Sequence, residues 1–395
     1  MTDRLSARIR NETKAREPEL IAARRHIHQH PELSHQERET GRFIAEQLRA
    51  AGLSPRTNLG GHGVSVDIEG ANPGPTVALR VDIDALPLRE KVDVPFASCV
   101  PGVMHACGHD AHTAVGLGVA RVLDALRSEL NGRARVFFQP AEESTPSGAL
   151  GMIEDGVLEG VSAVWTVHVE PALPLGVVGL RSGPVTAAAD SFTVTVRGKG
   201  GHSARPHLSR DANFVAAQIL SGIYHFSATQ FDPREPMVAN VGVFRGGSAP
   251  NAIAGEAVLE GVIRSLSPSA RERVEERFTA LVRGIAAAHA VEAEIAFLRG
   301  SPSQVNDPAL TRLTWDAAVD MLGSARVVEV PLPSLGGEDF SRYGKYCPSV
   351  LVRLGCGLPG HDLALHSEHF FLDESVIALG VETISRTLLL AAERP

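Results

Sequence analysis

The stretch Met104–Thr113 reads MHACGHDAHT and packs His105, Cys107, His109, Asp110 and His112 into one short run. A soft thiolate beside several imidazoles suits a borderline transition metal such as Zn, Co or Mn. The residues that follow, AVGLGVARVLDALR, are apolar at helical spacing, so the cluster is expected at or just before a helix N-terminus. That position should lower the Cys107 thiol pKa and favour the thiolate. A single buried cysteine is ordinarily a small core residue, and a single histidine is ordinarily just hydrogen-bonded. The density of this run favours a metal over those readings. No CxxC pair accompanies it, so further ligands have to come from elsewhere in the chain.

Three other places offer them. The apolar run Val77–Ile83 ends in Asp82 and Asp84, and the carboxyl end of a strand is where α/β sheets place ligands. Ala134–Gln139 reads as a strand that runs into Pro140-Ala141-Glu142-Glu143, where one acid could ligate a metal while its neighbour handles a proton. Ala163–Val169 reads as a strand with His168 near its end. Each signal is weak alone, since solvated strand ends and surface Glu-Glu pairs are common. Four successive strand ends delivering Asp82/Asp84, Cys107/His109, Glu142/Glu143 and His168 are far more specific.

The elements that hold these residues follow from the pattern. Residues 1–54 read as two helices, about Thr13–His30 and about Ser34–Ala51, the second opened by a Ser34/Glu37 capping box. His26, His28, His30 and His35 read as surface or packing residues, and Asn72–Pro75 as a turn between strands. Beyond Gly183 the texture changes. Strands Ser191–Val196, Met237–Phe244, Ala257–Arg264 and Val291–Leu298, with helices Asp211–His225 and Pro268–His289, give the order βαββαβ of a ferredoxin-like unit. From about Gly300 the first texture returns and closes on a helix at about Glu374–Ala392. The expectation is an α/β catalytic domain, 1–183 and 300–395, with a mixed sheet flanked by helices, interrupted by a smaller α+β domain over 184–299.

Composition bounds the partners. At 395 residues the chain exceeds one ordinary core. A formal net charge of -8 and only 5% aromatic residues argue against nucleic acid. The charged first twenty residues lack an apolar signal region, and no membrane span is read from the pattern. Cys99, Cys107, Cys347 and Cys356 have no disulfide-scaffold spacing, so a reduced, cytoplasmic setting is expected.

The set MHACGHDAHT, QPAEE, WTVHVE, GKGGHSARPH, GGSAPNAI, GGEDF and LHSEHF resembles the di-metal amidohydrolase and metallocarboxypeptidase family, in the branch of aminoacylases, hippurate hydrolases, auxin-conjugate hydrolases and N-acetyl-diaminopimelate deacetylases. The resemblance spans nearly the whole chain. It implies a zinc-peptidase-like catalytic domain, with the insert serving as lid and dimerisation domain. It also implies two divalent ions per chain, Mn, Zn, Co or Ni, with Cys107 as the bridging thiolate and His109, His168, Glu143 and His366 as the other ligands. Glu142 would be the general base, and His202 a lid-domain histidine that reaches a site across a homodimer. Asn251 and Arg264 would contact the substrate backbone or carboxylate. In LHSEHF the match favours His366 over His369. Where relatives carry His-x-Asp this chain has Asp82-Ile83-Asp84, which makes Asp84 a supporting residue rather than a ligand.

The activity implied is hydrolysis of N-acyl amino acids to a carboxylic acid and a free amino acid. The alternative is a carboxypeptidase or dipeptidase on short peptides. A third reading, a metal-binding protein without catalysis, is disfavoured by Glu142, because a purely structural site gains nothing from a second, unliganded acid.

Overall fold

Runs that are apolar without alternation become strands buried on both faces. Val77–Val81, Val164–Val169 and Val350–Leu354 are such runs, and they form the middle of the molecule's larger sheet. The computed structural model describes residues 2–232 and 234–393. Among them the larger sheet has eight strands in the order Arg56–Leu59, Gly63–Glu69, Asn131–Gln139, Asn72–Asp82, Val161–Pro174, Ser349–Gly357, Val178–Leu180 and Val327–Glu329. The pairings from Asn131–Gln139 through Ser349–Gly357 are parallel, and the flanking ones are mostly antiparallel, so the sheet is mixed. Helices Thr2–Gln29, His109–Ala125, Pro308–Leu322 and Ser375–Ala392 pack together against it. Ser375–Ala392 is long and apolar enough to cross a membrane, but 78% of it is buried in this core.

A second compact unit holds an antiparallel four-stranded sheet, ordered Met237–Gly246, Glu256–Ser265, Ala188–Arg197 and Glu292–Leu298, with helices Ala212–Thr229 and Pro268–Ala288. That is the expected ferredoxin-like order. Its own core is built from Phe192, Val194, Phe226, Leu259, Phe278 and their neighbours. Asp211 caps the first helix by accepting the amides of Asn213 and Phe214, and Ser267 caps the second through Ala270. The chain is therefore an α/β protein with a smaller antiparallel unit inserted into it.

The first unit takes in the chain up to Gly183, then Val305–Pro331 and the stretch from Asp339 onward; the second takes Pro184–Gln304 and Leu332–Glu338. The expected insert ended at 299. Residues 301–304 stay with the second unit because Ser301 O accepts the Ala189 amide, Ser303 Oγ donates to Thr186 O, and Gln304 O accepts the Val185 amide.

Three local expectations are corrected. The first helix runs from Thr2 through Pro18 to Gln29 rather than starting near Thr13. Ile9 and Leu20, buried on either side of Pro18, hold it to the core, which outweighs one missing amide. Asn72–Pro75 is not a free turn but the start of the strand Asn72–Asp82, with an irregularity in register before Thr76. The second helix begins at Arg38 without a side-chain cap. Ser34 and Glu37 are engaged elsewhere: Ser34 Oγ donates to Asp84, and Glu37 accepts from the amide of Ala141.

Candidate metal centre

The parallel order of the strands Asn131–Gln139, Asn72–Asp82 and Val161–Pro174 sends Glu142, Asp82/Asp84 and His168 to the same edge of the sheet. Cys107 and His109 come from a loop and a helix start instead, and His168 lies inside a strand that continues to Pro174, which corrects the expectation of four strand ends. Gly108 lies between them at φ 82°, in the left-handed region, and this turn lets Cys107 and His109 face the same space. His366 also has a left-handed backbone, φ 59°, and its amide donates to Ala106 O at 2.9 Å, tying the C-terminal segment to the cysteine loop.

The result is two three-donor sets that share one sulfur. Cys107, His109 and His168 each offer a ligand atom within 4.8 Å of the others, and so do Cys107, Glu143 and His366. Within them, Cys107 Sγ lies 3.5 Å from His168 Nε2, and His366 Nε2 lies 3.0 Å from Glu143 Oε1. Glu142 and Glu143 also come within the same span of His109.

The ring tautomers are fixed by the backbone. His109 Nδ1–H donates to Asp84 O at 2.9 Å, with Asp84 Oδ1 at 3.2 Å. His168 Nδ1–H donates to Val169 O at 2.7 Å. Both rings therefore turn Nε2 toward Cys107, and His109 Nε2 is buried without a hydrogen-bond partner. A buried ring nitrogen without a partner in a Cys/His/Glu pocket is what a borderline divalent cation would satisfy, displacing any proton held there, so the residues fit such an ion.

A third grouping, Asp82, His109 and His112, is a hydrogen-bonded relay rather than an ion seat. His112 Nδ1–H donates to Asp82 Oδ1 at 2.6 Å, and His112 Nε2 accepts the Val169 amide at 2.9 Å. The other Asp82 oxygen accepts from Arg80 at 2.6 Å, and Arg80 also reaches Asp339 at 2.7 Å and Gln139 at 2.9 Å. All four of Arg80, Asp82, His112 and Gln139 are fully buried. Asp82 and His112 were singled out from the sequence, as a strand-end acid and a member of the dense run; Arg80 and Gln139 were not, although a charged residue inside an otherwise apolar strand was a signal for Arg80.

Electrostatics corrects one expectation. Burial pushes the Cys107 thiol well up, against the pull of neighbouring His109, so the helix start does not supply a standing thiolate. An incoming cation has to displace that proton. Burial holds His168 well below the usual imidazole range, so it is a neutral donor. Burial opposes charge on His109 too, but Asp82 and Cys107 raise it well above the usual range. Asp82 itself is buried, yet His109, His112 and Arg80 hold it well below the carboxylate range.

The remaining residues singled out from the sequence lie in the second unit. His202 is exposed and pairs with Ala252; its Nδ1 accepts the Ala204 amide at 3.1 Å, leaving Nε2–H as an outward donor. Asn251 is its neighbour, its carbonyl accepting the Ser203 amide. Arg264 donates to Leu335 O at 2.8 Å. Of the helix 1 histidines, His26 and His30 are exposed, whereas His28 is buried between Asp110 at 2.8 Å and Glu90 at 3.0 Å.

The sequence profile of peptidase family M20/M25/M40 matches residues 78–390. The chain is 41% identical over 361 residues to the N-acetyl-L-cysteine deacetylase of Bacillus subtilis, covering 91% of this chain and 85% of that protein. It is 39% identical over 386 residues to thermostable carboxypeptidase 2 of Saccharolobus solfataricus, covering 95% and 96%. Among solved structures, the YxeP protein of Bacillus subtilis, a dinuclear metal-binding peptidase of the M20 family, superposes with a TM-score of 0.86 at 35% identity, covering 97% of this chain and 100% of that one.

Proposed function

Starting from a chain that belongs to peptidase family M20/M25/M40 and is a metal-dependent hydrolase, we propose that it hydrolyses the amide bond of N-acyl amino acids, releasing a carboxylic acid and a free amino acid. The observation that carries the reading is the pair of donor sets sharing Cys107, with a second acid, Glu142, beside Glu143. Cys107 would hold two divalent ions jointly, His109 and His168 completing one set and Glu143 and His366 the other. Bound there, such ions supply Lewis acidity toward water and an amide carbonyl. Mn, Zn, Co and Ni all suit these donors.

The chain's own residues do the rest. Glu142 takes a proton from the attacking water on its carboxylate and returns it to the departing nitrogen. Its Oε1 lies 3.5 Å from the Asp339 amide, which orients the group. Asp84 and the Val169 carbonyl hold His109 and His168 in the ligating tautomer. In the second unit, the Nε2–H of His202 is suited to the developing oxyanion, and Asn251 and Arg264 to the substrate's backbone and carboxylate. Action of the second unit as lid and dimerisation element, and of His202 on a second chain's site, belongs to the same proposal. So does a cytoplasmic location, where Cys107, a free thiol like Cys99, Cys347 and Cys356, stays reduced.

The 39% identity to a carboxypeptidase supports a second reading, cleavage of short peptides. Metal-free protein reconstituted separately with Mn, Co, Zn and Ni should be tested on N-acetyl and N-benzoyl amino acids and on dipeptides. Higher kcat/KM on the acyl series supports the first reading. Turnover confined to peptides replaces it with the second, and no turnover on either series with any metal would refute both.

A further inference from the structure

The connection between helices Thr2–Gln29 and Arg38–Ala50 touches the Glu142/Glu143 loop at both of its ends. At one end Glu37 Oε1 accepts the Ala141 amide at 2.7 Å. At the other, His35 Nε2 lies 3.0 Å from Pro146 O and 3.1 Å from Ser144 Oγ. Between them, Ser34 Oγ donates to Asp84 Oδ2 at 2.7 Å, and the same oxygen accepts the Glu143 amide at 3.0 Å. The connection is itself fastened to the sheet edge, since Glu32 O accepts the Ala85 amide at 2.9 Å and Leu33 bridges to Ala85.

Two features make Glu37 the key contact. Ala141 has φ 52°, in the left-handed region that a residue with a Cβ adopts only when its surroundings hold it there. Glu37 is fully buried, and its second oxygen, Oε2, is buried without a hydrogen-bond partner. Burial pushes this carboxyl up to about 7. A leucine would occupy the same space without that cost, so packing does not explain a carboxyl here. What the carboxyl adds is an acceptor for backbone amides: those of its own turn, Glu37 and His35, and across the gap that of Ala141, at the residue immediately before Glu142.

We propose that Glu37 is a positioning residue: by accepting the Ala141 amide it fixes the left-handed turn that presents Glu142 and Glu143 to the shared donor sets. The contact acts through the backbone, and Glu37 itself touches neither donor nor substrate. It lies outside the 78–390 stretch matched by the family profile. The inference rests on the roles proposed above for Glu142 and Glu143.

The test compares Mn-loaded wild type, Glu37→Asp, Glu37→Gln, Glu37→Asp with Ala141→Gly, and Glu142→Gln on N-acetyl amino acids, recording kcat, KM, Mn per chain and Tm. Aspartate shortens the reach by one methylene and keeps the carboxyl, so the fold survives while the hydrogen bond is lost. Misplacement of a catalytic group by about 1 Å costs on the order of 100-fold, so kcat of Glu37→Asp should fall about 10- to 100-fold with KM and Mn content nearly unchanged. Glutamine keeps the Oε1 acceptor and should restore kcat to within about threefold of wild type, near the effect of a typical surface change. Glycine at 141 adopts a positive φ unaided and should return part of the loss in the aspartate background.

Wild-type kcat in Glu37→Asp would overturn the inference. So would a loss that follows Mn content or Tm alone, or an equal loss in Glu37→Gln at wild-type Tm. Full activity in Glu142→Gln would instead defeat the reading of the site, which keeps the two failures apart.

Discussion

Gly108→Ala should disable the proposed metal centre without replacing any of its proposed ligands. Gly108 stands between Cys107 and His109 at φ 82°, so a Cβ there meets the left-handed penalty of roughly 1–2 kcal/mol. The Cβ would also lie 2.6 Å from Val169 Cγ2, with Leu372 and Phe370 next nearest. Val169 is buried, and its amide and carbonyl are bonded to His112 and His168, so it has little room to give. Overpacking of this kind costs about 1–3 kcal/mol. Together the two effects amount to roughly 2–5 kcal/mol, or a Tm decrease of order 5–15 °C in a unit of this size. Relief of the clash should move Cys107, His109 or His168 and lower the Mn content.

The assay is thermal unfolding with and without Mn, together with metal content by mass spectrometry. Gly52→Ala is the control: Gly52 has φ 81° with nothing within 4 Å of its would-be Cβ, so it isolates the backbone strain far from the ligands. Gly52→Ala should lose some Tm and no metal. A Gly108→Ala protein with the stability and metal content of Gly52→Ala would refute the claim that close approach at Gly108 sets the geometry of the site.

Four further outcomes are expected. Glu142→Gln should lower kcat by about 10²–10⁴-fold with metal content nearly intact, whereas Glu143→Ala should lose metal as well. Retention of metal and activity in both would overturn the division of roles. Chelation should abolish turnover and added Mn, Co or Zn restore it; full activity in a verified metal-free sample would exclude the metal's part. Burial alone would lower the His28 pKa, but Asp110 and Glu90 hold it up to about 9. A raised folded pKa gives stability that is present below the unfolded value of 6.5 and lost as pH rises through 9. The shift corresponds to about 3 kcal/mol, so urea unfolding should show a decline over that window that is missing in His28→Leu. Inactive His202→Ala chains mixed with inactive Glu142→Ala chains should regain part of the activity after subunit exchange, because one site of a mixed dimer keeps both residues; no regain would remove His202 from a second chain's site.

Much of the candidate centre was legible because its residues announce themselves by type. Cys107 and His109 stand in a dense run, Glu142 and Glu143 follow just after an apolar strand, and His168 is a lone imidazole inside another. The misreadings came where one sequence pattern serves two physical purposes. Ser34 and Glu37 have the spacing of a capping box, yet each finds a partner far along the chain, Asp84 and Ala141, and no local rule ranks a distant acceptor above a near one. The helix start ahead of Cys107 suggested a lowered thiol pKa, but burial acts in the opposite direction and prevails.

The sequence by itself determined the kinds of element, the ferredoxin-like order of the inserted unit and the chemistry of the donors. Those depend on side-chain type and on periodicities within a few residues. Tertiary structure alone decided which nitrogen of each histidine faces Cys107. The choice is set by Asp84 O and Val169 O, carbonyls whose approach depends on sheet order and turn geometry. It alone decided, too, that Asp82 and His112 are spent on Arg80 and Val169 rather than on a cation. The physical reason is common to both: a buried polar group takes whichever partner the fold brings within about 3 Å, and that partner lies tens of residues away in the chain.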